Sequence, residues 1–89
     1  MRVVVLWREE RDYSRQVIDW LHDFERQTGR TIESVDPDTR DGVELAKAYD
    51  ILEFPAFLAL NDDGSVAQVW KGAGMNMPRV DDINYYLTT

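Results

Sequence analysis

The sequence predicts an α/β fold in the order β-α-β-α-β-β-α, built around a four-stranded mixed sheet. Two short apolar runs, Arg2–Trp7 and Ala56–Leu60, are bounded by charged residues or proline, which is typical of buried strands. The segment Tyr13–Thr28 has apolar residues at helical spacing, and Asn61–Gly64 has the composition of a hairpin turn. Strands that alternate with helices ahead of a hairpin indicate a sheet that is partly parallel and partly antiparallel.

The first helix is predicted over Tyr13–Thr28 because its two faces differ in polarity. Asp12 or Ser14 is expected to cap its N-terminus, and Gly29 follows where a left-handed residue is favoured. We expect Trp20 and Phe24 in the core. The whole apolar face consists of Val17, Trp20, Leu21, Phe24 and Thr28.

The middle of the chain predicts a second strand and a second helix. Thr31–Val35 reads as a short strand, and Asp36–Asp38 ends it and offers a helix start. Apolar residues between Val43 and Tyr49 indicate a helix of about three turns. Gly42 is expected to weaken the first turn of that helix.

The C-terminal third completes the sheet and adds a third helix. Ser65–Trp70 is predicted to return from the hairpin turn as a strand. Gly72–Gly74 forms a loop, and Asn76 or Met77 with Pro78 opens the last helix. One face of that helix carries Val80, Ile83 and Leu87.

Composition limits the classes of function. The 89 residues are expected to form a single domain, residues 1–89, and a hydrophobic fraction of 44% argues against disorder. The net charge of −7 disfavours nucleic acid and anionic membranes as partners. The apolar run Val3–Trp7 is too short for a signal peptide or a membrane span, so a cytoplasmic location is expected.

The sequence contains no cysteine, which excludes several kinds of chemistry together. Disulfides, thiolate catalysis, iron–sulfur clusters and cysteine-type zinc sites all need that side chain. The chain is therefore not a thiol oxidoreductase, and we expect neither a metal nor a cofactor.

Other candidate reactive groups do not combine into a site. Ser14 would need a base, and the sole histidine, His22, lies about 12 Å farther along the helix. The run Asp36–Gly42 looks like a calcium loop, but Arg40 stands at its fifth position and Lys47 at its twelfth. We therefore expect no catalytic residue, an exposed His22, and a helix-capping role for the aspartates.

Three segments resemble the thioredoxin family, and together they extend the resemblance over nearly the whole chain. The run Tyr49–Leu60 is similar to the stretch that ends the second core helix and passes through a cis-proline into a strand. Asn61–Gly74 is similar to the hairpin and glycine loop, and Val35–Asp38 to the second strand and its acidic exit. The resemblance implies a minimal thioredoxin-like fold with helices on both faces of the sheet, and a cis bond between Phe54 and Pro55.

The chain departs from that family at the active-site segment. Counting from Trp7, the residues in place of Cys-Gly-Pro-Cys are Arg11, Asp12, Tyr13 and Ser14. A glutaredoxin-like register would use Asp12–Arg15 instead. Val5 stands where redox-active members carry a buried acid. The resemblance thus implies a domain without the nucleophile and without the proton relay.

The same resemblance implies a peptide-binding edge where the helix-start loop, the residue before the proline and the glycine loop converge. The residues expected there are Glu10, Tyr13, Glu53, Phe54, Pro55, Gly72 and Ala73. We expect a redox-inactive protein- or peptide-interaction module, monomeric or homodimeric. Two alternatives stay open: a loop cluster without any ligand, and a non-thiol enzyme or small-anion-binding protein that uses Arg11, Arg15 and Lys71.

Overall fold

The structure is a computed structural model that describes residues 1–88, and a four-stranded mixed sheet lies at its centre. The strands are β1 (Arg2–Leu6), β2 (Glu33–Val35), β3 (Ala56–Leu60) and β4 (Val66–Lys71). They lie in the order β2-β1-β3-β4, with β1 parallel to β2, antiparallel to β3, and β3 antiparallel to β4. The predicted order of elements and the mixed sheet are confirmed.

In the described part of the chain, residues 1–88, three helices cover the two faces of this sheet. They are α1 (Ser14–Thr28), α2 (Arg40–Ala48) and α3 (Val80–Thr88), with a 3-10 turn at Gly74–Asn76. Helices α1 and α3 pack against one face, and α2 packs against the other. Within residues 1–88, no helix is long and apolar enough to cross a membrane.

The core has two layers, one on each side of β1 and β3. Val3 and Val5 face the layer completed by Phe24 of α1, whereas Val4 and Leu6 face the layer below α2. Because both faces of the central strands are buried, their sequences are continuously apolar and do not alternate. Trp20, partly buried, stacks on Phe24 with ring centroids 5.2 Å apart, which agrees with the predicted core face of α1.

The N-terminus of α1 has no side-chain cap, so the prediction that Asp12 or Ser14 caps it is wrong. The N-cap position is Tyr13, whose backbone is already helical and whose side chain makes no capping bond. Asp12 lies exposed in the turn before the helix, and Ser14 is the first helical residue. At the other end Gly29 adopts the predicted left-handed conformation, with φ of 70°.

The N-terminus of α2 is capped by Thr39 and not by the aspartates. Thr39 Oγ1 accepts a hydrogen bond from the Gly42 N–H at 3.2 Å, while Asp36 Oδ1 accepts from the Asp38 N–H at 2.8 Å in the turn before the helix. Gly42 was predicted to weaken this turn, and it also has a steric role. A Cβ atom at that position would lie 2.1 Å from the Asp36 carbonyl oxygen, so the close approach of helix and loop requires glycine.

Other element boundaries differ from the predictions by a few residues. The second strand is shorter, Glu33–Val35, and the last helix begins only at Val80. Trp20 Nε1 donates a hydrogen bond to the Pro78 carbonyl at 2.7 Å, which ties the segment before α3 to α1. The hairpin turn lies where it was predicted, and the Gly64 N–H donates to the Asn61 carbonyl at 2.9 Å.

Candidate functional site

Four loops meet at one end of the sheet. In the strand register Leu6 lies beside both Val35 and Ala56, and Ala56 lies beside Lys71. The chain therefore leaves β1, β2 and β4, and enters β3, at the same end. We call this end the loop edge and define it as residues 7–13, 36–39, 49–55 and 72–76.

The turn before α1 is closed by backbone and hydroxyl bonds. The Ser14 N–H donates to the Arg11 carbonyl at 3.0 Å, and the Arg11 N–H donates to Ser14 Oγ at 2.8 Å. The Ser14 hydroxyl in turn donates to the Arg8 carbonyl at 2.8 Å. Because Ser14 is buried and its hydroxyl holds this turn together, the structure gives it a positioning role.

Arg8 joins three segments of the loop edge. Its guanidinium forms an ion pair with Asp38 and lies 4.8 Å from the centroid of the Phe54 ring. Its backbone N–H donates to the Tyr13 hydroxyl at 2.8 Å. Hydrogen bonding to Arg8 lowers the pKa of the Asp38 carboxyl below its ordinary value, and the same pairing raises the pKa of Arg8.

The segment Phe54–Pro55 lies between the first and last loops of the edge. The peptide bond between these residues is cis, and Pro55 is buried. The Pro55 carbonyl accepts a hydrogen bond from the Gly72 N–H at 2.9 Å. By contrast, no hydrogen bond within residues 1–88 uses the backbone N–H or carbonyl of Phe54.

Gly72 lets the last loop pass close to this segment. Its φ is 101°, and a Cβ atom there would lie 2.7 Å from Glu53 Oε2. The Glu53 carboxylate therefore lies against the glycine loop. The Gly74 N–H donates to Gln16 Oε1 at 2.8 Å, which fixes the end of the same loop to α1.

A groove of about 390 Å³ opens beside Phe54, between α2 and the loop that leads to β3. We call it the Phe54 groove. Its apolar lining consists of Pro37, Val43, Ala46, Ile51, Leu52 and Phe54, and charged groups stand around it. Ile51 is buried, but Leu52 is 91% exposed and Val43 is 40% exposed. Large apolar side chains this open to solvent beside a groove mark a surface on which another molecule can pack.

The structure brings most of the predicted peptide-binding edge together. Pro55 contacts Gly72, Glu53 lies against Gly72, and Arg8 links Tyr13 to Phe54. The Ala73 carbonyl accepts from the Asn76 N–H within the same loop. Glu10 is exposed, with a φ of 62°, and within residues 1–88 no ion pair holds its carboxylate.

Sequence reasoning missed the residues that build the Phe54 groove. Leu52 and Val43 read as ordinary apolar positions, and Arg8 gave no signal because its partner Asp38 lies 30 positions away. The loop from Asp50 to Phe54 offered one indication of this surface, because the apolar Leu52 lies there between the acidic residues Asp50 and Glu53. Only the fold shows that this run faces α2.

The three cations of the anion-binding alternative lie in different surroundings within residues 1–88. Arg15 pairs with Asp19 at 3.2 Å on α1, and Arg11 Nη1 donates to the Glu10 carbonyl at 3.4 Å. Lys71 is exposed at the end of β4. His22 is exposed on α1, and residues 1–88 hold no group of three or more acids and histidines arranged for a metal ion.

Comparison with known proteins identifies the fold. No protein-family model matches the sequence, and no curated protein does either. The structure is similar to thioredoxin 1 from the thermophilic eubacterium Thermosipho africanus TCF52B, with a TM-score of 0.68 and 10% identity, covering 99% of this chain and 96% of that one. It is also similar to the solution structure of a thioredoxin from Thermus thermophilus, with a TM-score of 0.58 and 21% identity, covering 97% of this chain and 70% of that one. The chain therefore has the thioredoxin-like fold, and it lacks the Cys-x-x-Cys motif.

Proposed function

We propose that this protein is a redox-inactive thioredoxin-like domain that binds a segment of another protein at the loop edge. The observation that carries the proposal is the free backbone of Phe54. Its N–H and carbonyl have no hydrogen-bond partner within residues 1–88, although the residue lies next to buried Pro55. An extended peptide laid along this segment would supply both partners, as in strand addition to a sheet edge.

Exposed apolar side chains around Phe54 support the same function. Leu52 and Met75 are both almost entirely open to solvent. Leu52 belongs to the same loop as Phe54, and Met75 belongs to the glycine loop, which contacts Pro55 through Gly72. Exposed large apolar side chains that group together are typical of a surface that contacts another molecule, where their burial is favourable. Backbone pairing at Phe54 with apolar contacts on its flanks is a surface suited to a peptide.

The residues of the loop edge are unsuited to thiol chemistry. The chain has no cysteine, and the Ser14 hydroxyl holds the turn before α1. Val5 is fully buried in the apolar layer under α1, and its side chain has no titratable group that could relay a proton. These observations support a surface that recognises a partner without reacting with it.

A peptide-selection experiment tests the proposal. Random peptides displayed on phage are selected on the immobilised, folded chain, and enriched peptides are then measured for binding to two variants. Ala73→Arg places a long side chain in the glycine loop of the edge. Ala48→Arg makes the same change on an exposed position of α2 that lines a different pocket.

We expect Ala73→Arg to reduce peptide binding at least about tenfold, as expected when the centre of an interface is blocked, and Ala48→Arg to leave it unchanged. Far-ultraviolet circular dichroism confirms that both variants keep the fold. If no peptide is enriched, or if Ala48→Arg weakens binding as much as Ala73→Arg, then the loop edge is not a peptide-binding surface.

A further inference from the structure

We infer that the partner segment carries a large apolar side chain flanked by lysine or arginine, with the apolar side chain in the Phe54 groove and the cation beside Trp7. This inference rests on the proposed function and names the chemistry of the partner. Two observations lead to it: an open apolar groove, and an excess of unpaired carboxylates over the loop edge as a whole.

The lining and volume of the Phe54 groove are the reason for the large apolar side chain in the inferred partner segment. Its floor is formed by buried Ile51 and partly buried Ala46, and Leu52 and Val43 stand open at its sides. A volume of about 390 Å³ is suited to one large side chain and lies within the range of natural binding pockets. Burying Leu52 under a partner's side chain would remove the most exposed leucine of the chain from water.

The charges of the loop edge account for the basic part of the partner segment. Arg8 is neutralised by Asp38, and the other cations of these loops and of the groove lining are Arg11 and Lys47. Six carboxylates of the loop edge have no ion-pair partner within residues 1–88: Glu9, Glu10, Asp12, Asp36, Asp50 and Glu53. Since acids outnumber cations here and the whole chain carries −7, a basic segment is attracted and an acidic one is repelled.

A smaller cavity of about 180 Å³ gives the partner's cation a specific place. It is lined by Trp7, Glu9, Ser34 and Asp36, so two carboxylates stand beside an indole ring. Trp7 and Glu9 flank Arg8 in the chain and Asp36 lies two positions before Asp38, and Arg8 and Asp38 themselves line the Phe54 groove. An ammonium or guanidinium group is stabilised both by carboxylates and by the face of a tryptophan.

The test uses short synthetic peptides with a fluorescent label and a central phenylalanine. The residues that flank the phenylalanine are arginine in one peptide, glutamine in the second and glutamate in the third. Binding to the full chain is measured by fluorescence anisotropy at low and at high salt. We expect the arginine peptide to bind about tenfold more tightly than the glutamate peptide at low salt, and high salt to reduce this ratio.

Two test variants, each with a matched control, separate the apolar contribution to peptide binding from the charged contribution. Leu52→Ala is expected to weaken all three peptides by about tenfold and to leave their ranking unchanged. The double variant Glu9→Gln/Asp36→Asn is expected to remove most of the preference for arginine, while the glutamine peptide binds as before. The matched controls, Tyr85→Ala on α3 and Glu25→Gln/Asp81→Asn on exposed helical positions, should change neither quantity.

Failure of this inference differs from failure of the proposed function. If peptides from the phage selection bind the loop edge but the arginine and glutamate peptides bind equally, the inferred partner chemistry is wrong and the proposed function stands. The same conclusion follows if Glu9→Gln/Asp36→Asn leaves the arginine preference intact. If neither the selected peptides nor the synthetic peptides bind, both the inference and the proposed function are wrong.

Discussion

Arg8 and Asp38 join two loops of the loop edge through a two-point ion pair, in which Nε and Nη2 of Arg8 donate to the two carboxylate oxygens of Asp38 at 2.9 Å each. This planar geometry is the strong form of an arginine–carboxylate contact. The pair ties the exit of β1 to the loop before α2, and it holds the guanidinium over Phe54. Both residues line the Phe54 groove, so the pair fixes one side of that groove.

The first prediction concerns the titration of Asp38. Hydrogen bonding to Arg8 lowers the pKa of Asp38 below its ordinary value of 3.8 in the folded chain. A group with a depressed folded pKa stabilises the fold above its unfolded pKa, and this stabilisation is lost as the pH falls through the folded value. The pair should therefore stay intact as the pH falls to the ordinary value of 3.8, and it should open only below that value, as the pH passes through the lowered folded pKa.

Carbon-detected NMR of the side-chain carboxyl groups measures this titration directly. The variant Arg8→Gln should return the pKa of Asp38 to its ordinary range while Asp63, whose pKa is lowered by Ser65, stays unchanged. An Asp38 that titrates at its ordinary value in the unmodified chain would show that the ion pair does not form in solution.

The second prediction concerns Gly42 and its close approach to the loop before α2. An added methyl group at Gly42 would collide with the backbone of Asp36 and Pro37, so Gly42→Ala should lower the free energy of unfolding by ~3 kcal/mol. Gly29→Ala is the matched control, because nothing lies within 4 Å of its added Cβ. Gly29→Ala should lower the free energy of unfolding by about 1 kcal/mol, because only the left-handed backbone conformation opposes it. Urea unfolding measures both, and equal losses would mean that the helix–loop contact is looser than described.

The third prediction concerns the central strand β3. Leu58 has no exposed surface and packs below α2, so Leu58→Ala should lower the free energy of unfolding by about 2–5 kcal/mol. Leu52→Ala removes the same atoms from a side chain that is 91% exposed, and its effect should lie within about 0.5 kcal/mol. Thermal and urea unfolding check both values. A small loss at Leu58 would place β3 at the surface.

The sequence sufficed for the sheet because the central strands have a distinctive composition. β1 and β3 are buried on both faces, so their apolar runs stand out, and β3 was predicted with its observed boundaries, Ala56–Leu60. The caps were harder, since aspartate is a favoured cap residue but competes with other local bonds. At α1 the Ser14 hydroxyl closes the turn and Asp12 is left in solvent, which no local pattern reveals.

The loop edge could be predicted only in outline. The convergence of Tyr13, Phe54 and Gly72 follows from the resemblance to a known fold, and the structure brings their loops together. The Phe54 groove depends on contacts between Arg8 and residues 30 or more positions away. Tertiary contacts of this separation leave no periodicity in the sequence.

The fourth prediction concerns which residues of this chain stand at the positions of the Cys-x-x-Cys motif. The hydrogen bond from the Ser14 N–H to the Arg11 carbonyl closes a turn, which brings the Cα atoms of the two residues within about 7 Å. A disulfide needs Cα atoms about 4.4–6.8 Å apart. The double variant Arg11→Cys/Ser14→Cys should therefore form an intramolecular disulfide in air, detected as a loss of free thiol without dimerisation.

The double variant Asp12→Cys/Arg15→Cys tests the alternative register and should bridge less completely. The unmodified chain, which has no thiol, should reduce insulin disulfides no faster than buffer. If only the 12/15 pair bridges, the glutaredoxin-like register applies. If neither pair bridges, the loop after β1 does not follow the thioredoxin path.

The backbone amide of Phe54 provides the most direct test of peptide binding at the loop edge. A selected peptide is titrated into the ¹⁵N-labelled chain, and amide shifts and hydrogen exchange are recorded by NMR. Because the Phe54 N–H has no partner within residues 1–88 of the free chain, a bound peptide should shift its resonance strongly and slow its exchange. Amides of α3, on the opposite face of the sheet from α2, should change little. A Phe54 amide that neither shifts nor gains protection at saturating peptide would contradict the proposed function.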